Sequence, residues 1–497
     1  MSDAPPPPPG SLQALKAAHG PRYRWLLLMS VMVGTMAAIM SSTVVNVAIP
    51  DMSQHFGLGQ ERAQWATSGF MAAMVASMLT TPWMLSRFGF RLTYTLSMWL
   101  LLAGGLVGGL AHSYPLVLAA RVAEGLAAGV VQPIPAIIIL RAFGHEEQGR
   151  ASGIFGMGVV LAPALGPSLG GVLVDAFGWR SIFFMVVPFC LVSLWLARRY
   201  VPVTGPGGVA RQAGVSLDGW GLLLASGGTV CLLNGLVQWQ AGQPLLAAGL
   251  LGAAGTALLA FVAWQRRLLQ RHRAGAALQP LMDLSLFRCR PFAMGSLVAF
   301  IYGTALFGST YLLPVYLQMG LVLSPSYVGA LLLPAGVVLA LTIAAVGRLA
   351  DRYPTHVLVS LGLLLLAVSF AGVGLLSPNT PLVWLVVLTV VSRIGLGFVL
   401  PSLNLGAMRG LPSALIAQGS SAINFLRMLG GAAGVSLCGI VLEWRLAAHG
   451  ASLAAGGPPA PRLNAFHETF AGLAALCVLA LWAAWHLQSR PPAPQRT

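Results

Sequence analysis

The amino-acid sequence predicts an all-α polytopic membrane protein with fourteen transmembrane helices. Composition, run length and charge alternation each point there. Of the 497 residues, 57% are hydrophobic and only 8% charged, and the mean hydropathy is +0.80. A soluble domain carries roughly 25% charged residues, and a disordered chain needs low hydrophobicity with high charge, so both classes are excluded. The 59 Gly and 33 Pro fit a membrane protein, because both are tolerated better in membrane helices than in soluble ones.

A helix needs about 20 apolar residues to cross about 30 Å of hydrocarbon. Barrel strands would show short alternating segments instead. The first such run, near 25–49, follows Arg22 and Arg24 and is too long for a signal-peptide core, so it reads as a retained helix. It stands behind a tail that holds Pro5 to Pro9. Runs near 64–85, 93–111 and 114–140 follow, parted by Arg87 to Arg91 and by His112-Ser113. Those near 151–174 and 181–197 are parted by Gly178-Trp179-Arg180. A Gly- and Pro-containing linker leads to runs near 219–238 and 244–264, closed by Arg266, Arg267, Arg271 and Arg273. The last six lie near 292–317, 327–347, 356–376, 382–405, 415–442 and 468–486.

Charge supports this count. Of the 28 basic residues, 27 are Arg and one is Lys16. With both termini placed inside, 21 fall on the inner side, four outside (Arg62, Arg180, Arg445, Arg462) and three within spans (Arg121, Arg393, Arg427). This is the positive-inside bias, and one missed helix would scramble it. The net charge of +16 therefore reports topology. The arginines stand singly or in pairs between apolar runs, so no nucleic-acid face is predicted.

The chain also repeats itself. Arg121-Val122-Ala123-Glu124-Gly125 in the fourth span matches Arg393-Ile394-Gly395-Leu396-Gly397 in the twelfth. Ser86-Arg87-Phe88-Gly89 after the second span matches Asp351-Arg352-Tyr353-Pro354 after the tenth. Similar offsets imply two six-helix halves, and internal repeats of this kind mark transporters that bind substrate near the midplane. The expected division is a Pro-rich tail over 1–22, a six-helix bundle over 23–200, an inserted helix pair with its linkers over 201–290, a second bundle over 291–488 and a tail over 489–497. The five cysteines (Cys190, Cys231, Cys289, Cys438, Cys477) form no CxxC pair and read as apolar filler. No GxxxxGK[ST] or HExxH motif occurs, so neither ATP drive nor a metal site is expected.

Particular motifs resemble a family. Gly166-Pro167-Ser168-Leu169-Gly170-Gly171 is similar to the GPxxGG antiporter motif of the major facilitator superfamily, specifically its EmrB/QacA-like fourteen-helix drug:proton antiporters. Trp179-Arg180-Ser181-Ile182-Phe183 with Pro188, Thr43 to Pro50, Gly347 to Arg352, and Pro280 to Phe287 resemble that family too. The resemblance covers nearly all of 25–488. It implies the major facilitator fold, two pseudo-symmetric six-helix bundles plus two inserted helices. It also implies multidrug efflux and antibiotic resistance, with energy from a proton gradient and no bound cofactor. The implied site is a bacterial cytoplasmic (inner) membrane with both termini cytoplasmic. A periplasmic adaptor protein is a partner the resemblance allows, beside the small lipophilic substrate, protons and lipid. Two departures stand out. The family's span-one Asp is Ser41 here, and its span-four Gln is Glu124.

Glu124 is the one acidic residue placed deep in a span. A carboxylate there is costly unless it is paired or faces water. Arg121 precedes it by three residues and shares its helix face. The two read either as proton-coupling residues or as a fixed ion pair. Pro163, Gly166, Pro167, Gly170 and Gly171 read as an antiporter hinge or as packing positions that let helices approach closely. Arg87, Gly89, Arg91, Gly347, Asp351 and Arg352 read as a cytoplasmic gate. Ser41, Asn46, Met74, Gln132, Tyr302, Tyr311, Arg393, Asn404, Asn424 and Arg427, with Gln418, are candidates for the substrate cavity. Three mid-span arginines against one carboxylate favour a neutral or anionic substrate. The expected function is proton-coupled export of small lipophilic compounds, not an enzymatic reaction. The alternative is a metabolite or organic-anion transporter not coupled through the usual span-one carboxylate.

Overall fold

The computed structural model describes residues 11–58, 60–63, 65–204, 214–240, 242–273, 278–321, 323–377, 380–451 and 459–488. Pro5 to Pro9 and the 489–497 tail lie outside them. The helices are α1 Leu12–His19, α2 Tyr23–His55, α3 Gln60–Ala63, α4 Trp65–Met78, α5 Thr81–Phe88 and α6 Phe90–Gly109. Then come α7 Tyr114–Val131, α8 Ile134–Ala142, α9 Gln148–Phe177, α10 Ser181–Tyr200, α11 Gly219–Gln240 and α12 Pro244–Arg273. The last are α13 Arg290–Val315, α14 Pro325–Ala350, α15 Thr355–Gly374, α16 Leu382–Met408, α17 Ile416–Ala448 and α18 Pro459–Trp485.

Every expected apolar run coincides with one of these helices. Among the described residues, 12 helices are long and apolar enough to cross a membrane, or 13 with the bent α4–α5 pair. The fifth expected run falls on α9, a 30-residue helix outside that count. Three features add detail to that reading. The second span is not straight: α4 and α5 meet at 56°. Pro82, at the start of α5, has no N–H to donate back to Met78. The fourth span is likewise interrupted at Gln132-Pro133, between α7 and α8. The tail expected over 1–22 is ordered from Ser11 onward, whose hydroxyl accepts from Ala14 N at 3.2 Å and caps the Ala-rich α1.

The chain divides into two compact units. The first comprises 1–226, 260–283 and 416–422, and the second 227–259, 284–415 and 423–497. The unit boundaries at 226/227 and 259/260 fall within α11 and next to the middle of α12. In the first unit, α7 packs on α4 and α6, and α10 packs on α2 and α6. The corresponding spans of the second unit pair the same way: α16 on α14 and α15, and α18 on α13 and α15. The repeat in sequence is a repeat in packing.

Glycine makes these pairings close. A Cβ on Gly125 would stand 2.3 Å from Phe70 O, and one on Gly129 would stand 2.1 Å from Met74 O, so the α4 and α7 backbones touch. In the second unit, Gly303 meets Arg427 O at 2.0 Å on the same test, and Gly430 meets Phe300 O at 2.1 Å. No side chain fits at these crossings.

Asp218 opens α11 and is 1% exposed. Its carboxylate accepts from Gly221 N at 2.8 Å, Trp264 Nε1 at 2.8 Å and Gln265 Nε2 at 2.6 Å. It caps α11 and ties that helix to α12. Gln265 Oε1 in turn accepts from Met282 N at 3.4 Å.

Candidate functional site

Arg121 and Glu124, on one face of α7, are an adjoining pair of buried charges in the first unit. Their side chains are 2% and 1% exposed, and Arg121 Nη1 donates to Glu124 Oε2 at 2.5 Å. Ser41, on α2, bridges them: its hydroxyl accepts from Arg121 Nη1 at 2.8 Å and donates to Glu124 Oε2 at 3.1 Å. The residue standing where the resembling family has its Asp thus touches the carboxylate supplied by α7. Arg121 is anchored a second way. Its Nε donates to Ala66 O at 3.2 Å, and its guanidinium carbon lies 4.2 Å from the centre of the Phe70 ring. Both contacts belong to α4, and the cation–π contact is strengthened by desolvation.

Glu124 Oε1 and Arg121 Nη2 are buried with no hydrogen-bond partner among the described residues. The carboxylate points toward α6, where Gly104 and Gly105 make room. A Cβ on Gly104 would stand 2.6 Å from Glu124 Cγ, and one on Gly105 would stand 3.7 Å from Oε1. Sequence reasoning did not find this pair of glycines. Their only signal was a Gly-Gly step inside an apolar run. Ten residues before Gly104 on α6, about 15 Å along the helix, the Tyr94 hydroxyl meets Ser193 Oγ at 2.6 Å and donates to Ser30 O at 3.2 Å, joining α6 to α10 and α2.

The antiporter-motif residues lie on α9, which runs as one helix through Pro163 and Pro167. The side chain of Pro167 lies outside the described ones. Gly166 and Gly170 face α2, where added Cβ atoms would stand 2.7 Å from Thr43 Oγ1 and 2.4 Å from Val44 Cγ2. Gly171 has only Val47 Cγ1, at 3.9 Å. Of the gate candidates, Arg87 ends α5, and Gly89 turns the chain at φ 81°, which an L side chain rarely adopts. Arg91 Nε donates to Val201 O at 2.7 Å. Gly347 sits within α14, Asp351 caps its end and Arg352 is exposed beyond it.

The cavity candidates separate. Asn46 is exposed and accepts from Thr67 at 3.0 Å. Met74 is buried at the α4–α7 crossing, and Gln132 caps α7. Gln418 is not free for substrate: it donates to Pro280 O at 3.3 Å and accepts from Asp283 N at 3.0 Å, holding a linker. In the second unit, Tyr302 is 1% exposed, while Arg393, Arg427 and Asn404 keep partial access. Asn424 accepts from Arg427 Nη2 at 2.7 Å. Tyr311 lies near the Gln240 side chain. A cavity of about 400 Å³ beside it is lined by Trp239, Gln240, Glu443 and Trp444, but not by the mid-span arginines.

A repeated helix packing with charges buried in mid-span defines the class of secondary transporters. The model of the Major Facilitator Superfamily matches residues 31–435, and the chain belongs to that superfamily. The multidrug resistance protein B homolog of Mycobacterium tuberculosis is 30% identical over 457 residues, which cover 89% of this chain and 82% of the relative. The riboflavin transporter RibZ of Clostridioides difficile is 25% identical over 415 residues, covering 84% and 87%. The proton:xylose symporter XylE superposes with a TM-score of 0.65 at 13% identity, over 93% of this chain and 95% of that one, which shows a common fold. The protein is a multi-pass membrane transporter.

Proposed function

We propose that the chain is a proton-coupled exporter of small lipophilic compounds, working by alternating access, with Glu124 as its proton site. The observation that carries the reading is the shape of the Arg121–Glu124–Ser41 cluster. Oε2 takes both hydrogen bonds and Oε1 takes none. A proton on Oε1 displaces no donor. It removes the negative charge while Arg121 keeps Ala66 O and the Phe70 ring on α4. Protonation therefore weakens the charge-assisted bond from Ser41 on α2 to Oε2 without breaking it or freeing the arginine, and a difference between states is what coupling requires. The drug-resistance relative supports the substrate class. In everted membrane vesicles, substrate addition is expected to collapse a pH gradient. Glu124→Gln is expected to abolish the collapse at unchanged expression, whereas full coupling in that variant overturns the assignment.

One observation favours a second reading as an organic-anion or metabolite transporter. Three mid-span arginines face one mid-span carboxylate. That reading predicts labelled substrate moving down its own gradient with no change in the pH gradient.

A further inference from the structure

We infer that Arg393, Arg427 and Tyr302 form a binding subsite for the anionic group of a lipophilic organic acid, an assignment that rests on the transport reading above. The three come from different helices of the second unit. Arg393 is eleven residues into α16, Arg427 eleven into α17 and Tyr302 twelve into α13. At 1.5 Å per residue each is about 17 Å from its helix start, in mid-membrane. The α13–α17 backbone contact at Gly303 and Arg427 brings Tyr302 beside Arg427, and α13 also packs on α16, the helix that carries Arg393.

Among the described residues of the second unit, no carboxylate answers these two cations. The acids of the second unit are Asp351, Glu443 and Glu468. Asp351 caps α14 in a loop, Glu468 pairs with Arg445, and Glu443 is 16 residues along α17 from Arg427, about 24 Å away. Arg427 has one neutral partner, Asn424. Arg393 and the Tyr302 hydroxyl make no hydrogen bond to a described residue, yet Arg393 keeps accessible surface. That surface stands off the centre of the exposed face of α16: at about 100° per residue, Val383, Trp384 and Val387, which are 68%, 59% and 42% exposed, lie about 80°, 180° and 120° round the helix from Arg393. Two cations held in mid-membrane, one with open donors, with a phenol on the helix that packs against both of theirs, suit one carboxylate or sulfonate.

The test uses two fluorescent probes with the same aromatic skeleton and the purified full chain in detergent, at fixed pH and without a gradient. One is 1-anilinonaphthalene-8-sulfonate, an anion, and the other N-phenyl-1-naphthylamine, which is neutral. Arg393→Gln and Arg427→Gln are each expected to lower sulfonate affinity about tenfold and to change the neutral probe less than twofold. Arg393→Lys and Arg427→Lys keep the charge and retain much of the preference. Arg445→Gln, near the far end of α17, leaves it unchanged. If either Gln variant shifts the sulfonate-to-neutral ratio less than threefold, the subsite is overturned; should a Gln variant not fold, Tyr302→Phe, expected to weaken the sulfonate alone, decides by the same sign. Gradient collapse is read separately, so export can stand while the subsite falls, and the subsite can stand where coupling fails.

Discussion

Exchanging the carboxylate between α7 and α2 probes the buried cluster most directly. Glu124→Gln removes the one formal counter-charge of Arg121, whose side chain is 2% exposed. Breaking a buried pair from one side costs about 3–5 kcal/mol. The glutamine oxygen restores a hydrogen bond to a charged donor, about 1.5–3 kcal/mol, which leaves a net loss of about 2 kcal/mol. Ser41→Asp alone adds a second carboxylate where the hydroxyl now lies 3.1 Å from Glu124 Oε2. Two like charges about 4 Å apart repel by about 4 kcal/mol at an effective dielectric of 20, so this variant is destabilised too, or holds a proton to avoid it. In Ser41→Asp/Glu124→Gln the cation again has one anion, now from α2, where Arg121 Nη1 already reaches 2.8 Å to the residue. The two changes should couple favourably by about 2–3 kcal/mol. Unfolding of all four proteins in mixed detergent micelles measures the cycle, with pH-gradient collapse in everted vesicles as the functional readout. Additivity within about 0.5 kcal/mol would refute the argument, because it would mean that the three side chains do not act as one cluster.

Two further outcomes are expected. Gly166→Leu and Gly170→Leu place side chains against Thr43 and Val44, so transport per inserted molecule should fall sharply, while Gly171→Ala, 3.9 Å from its neighbour, should be near wild type. Equal transport in all three, measured against membrane protein level, would remove the α2–α9 contact from the mechanism. Asp218→Ala orphans three donors: the buried Gly221 N in the α11 cap, and Trp264 Nε1 and the buried Gln265 Nε2 in the α11–α12 linkage. It should cost about 3 kcal/mol in the same micelle unfolding assay, and unchanged stability would show that water replaces the carboxylate there.

Helix existence was legible because lipid imposes a length and a polarity on every span. Interruptions were less so. Pro82 and Pro133 are visible as letters, but apolar flanks hid the breaks they cause at α4–α5 and α7–α8. The Arg121–Glu124 pairing followed from spacing alone, since three residues on a helix share a face. Ser41 was visible as a missing acid, not as a ligand, because its contact to Glu124 spans 83 residues. Gly104, Gly105, Ala66 and Phe70 complete the cluster through backbone and ring contacts, which no spacing encodes. Gln418 misled: a polar residue at a span end looks like a cavity group, yet it binds the linker backbone.

Placing Arg121 and Glu124 three residues apart on one helix also bears on how the chain enters the bilayer. A central arginine or carboxylate costs about 2.5–3.5 kcal/mol each at insertion. On α7 the two neutralise one another within a single turn, so the segment can partition before any neighbour exists. Arg393 and Arg427 have no such intrahelical counter-charge. Their segments must rely on apolar flanks, or on helices already waiting, as α13 waits for α17 with Gly303 set against Arg427. Insertion of α7 thereby asks less of its neighbours than insertion of α16 and α17 does.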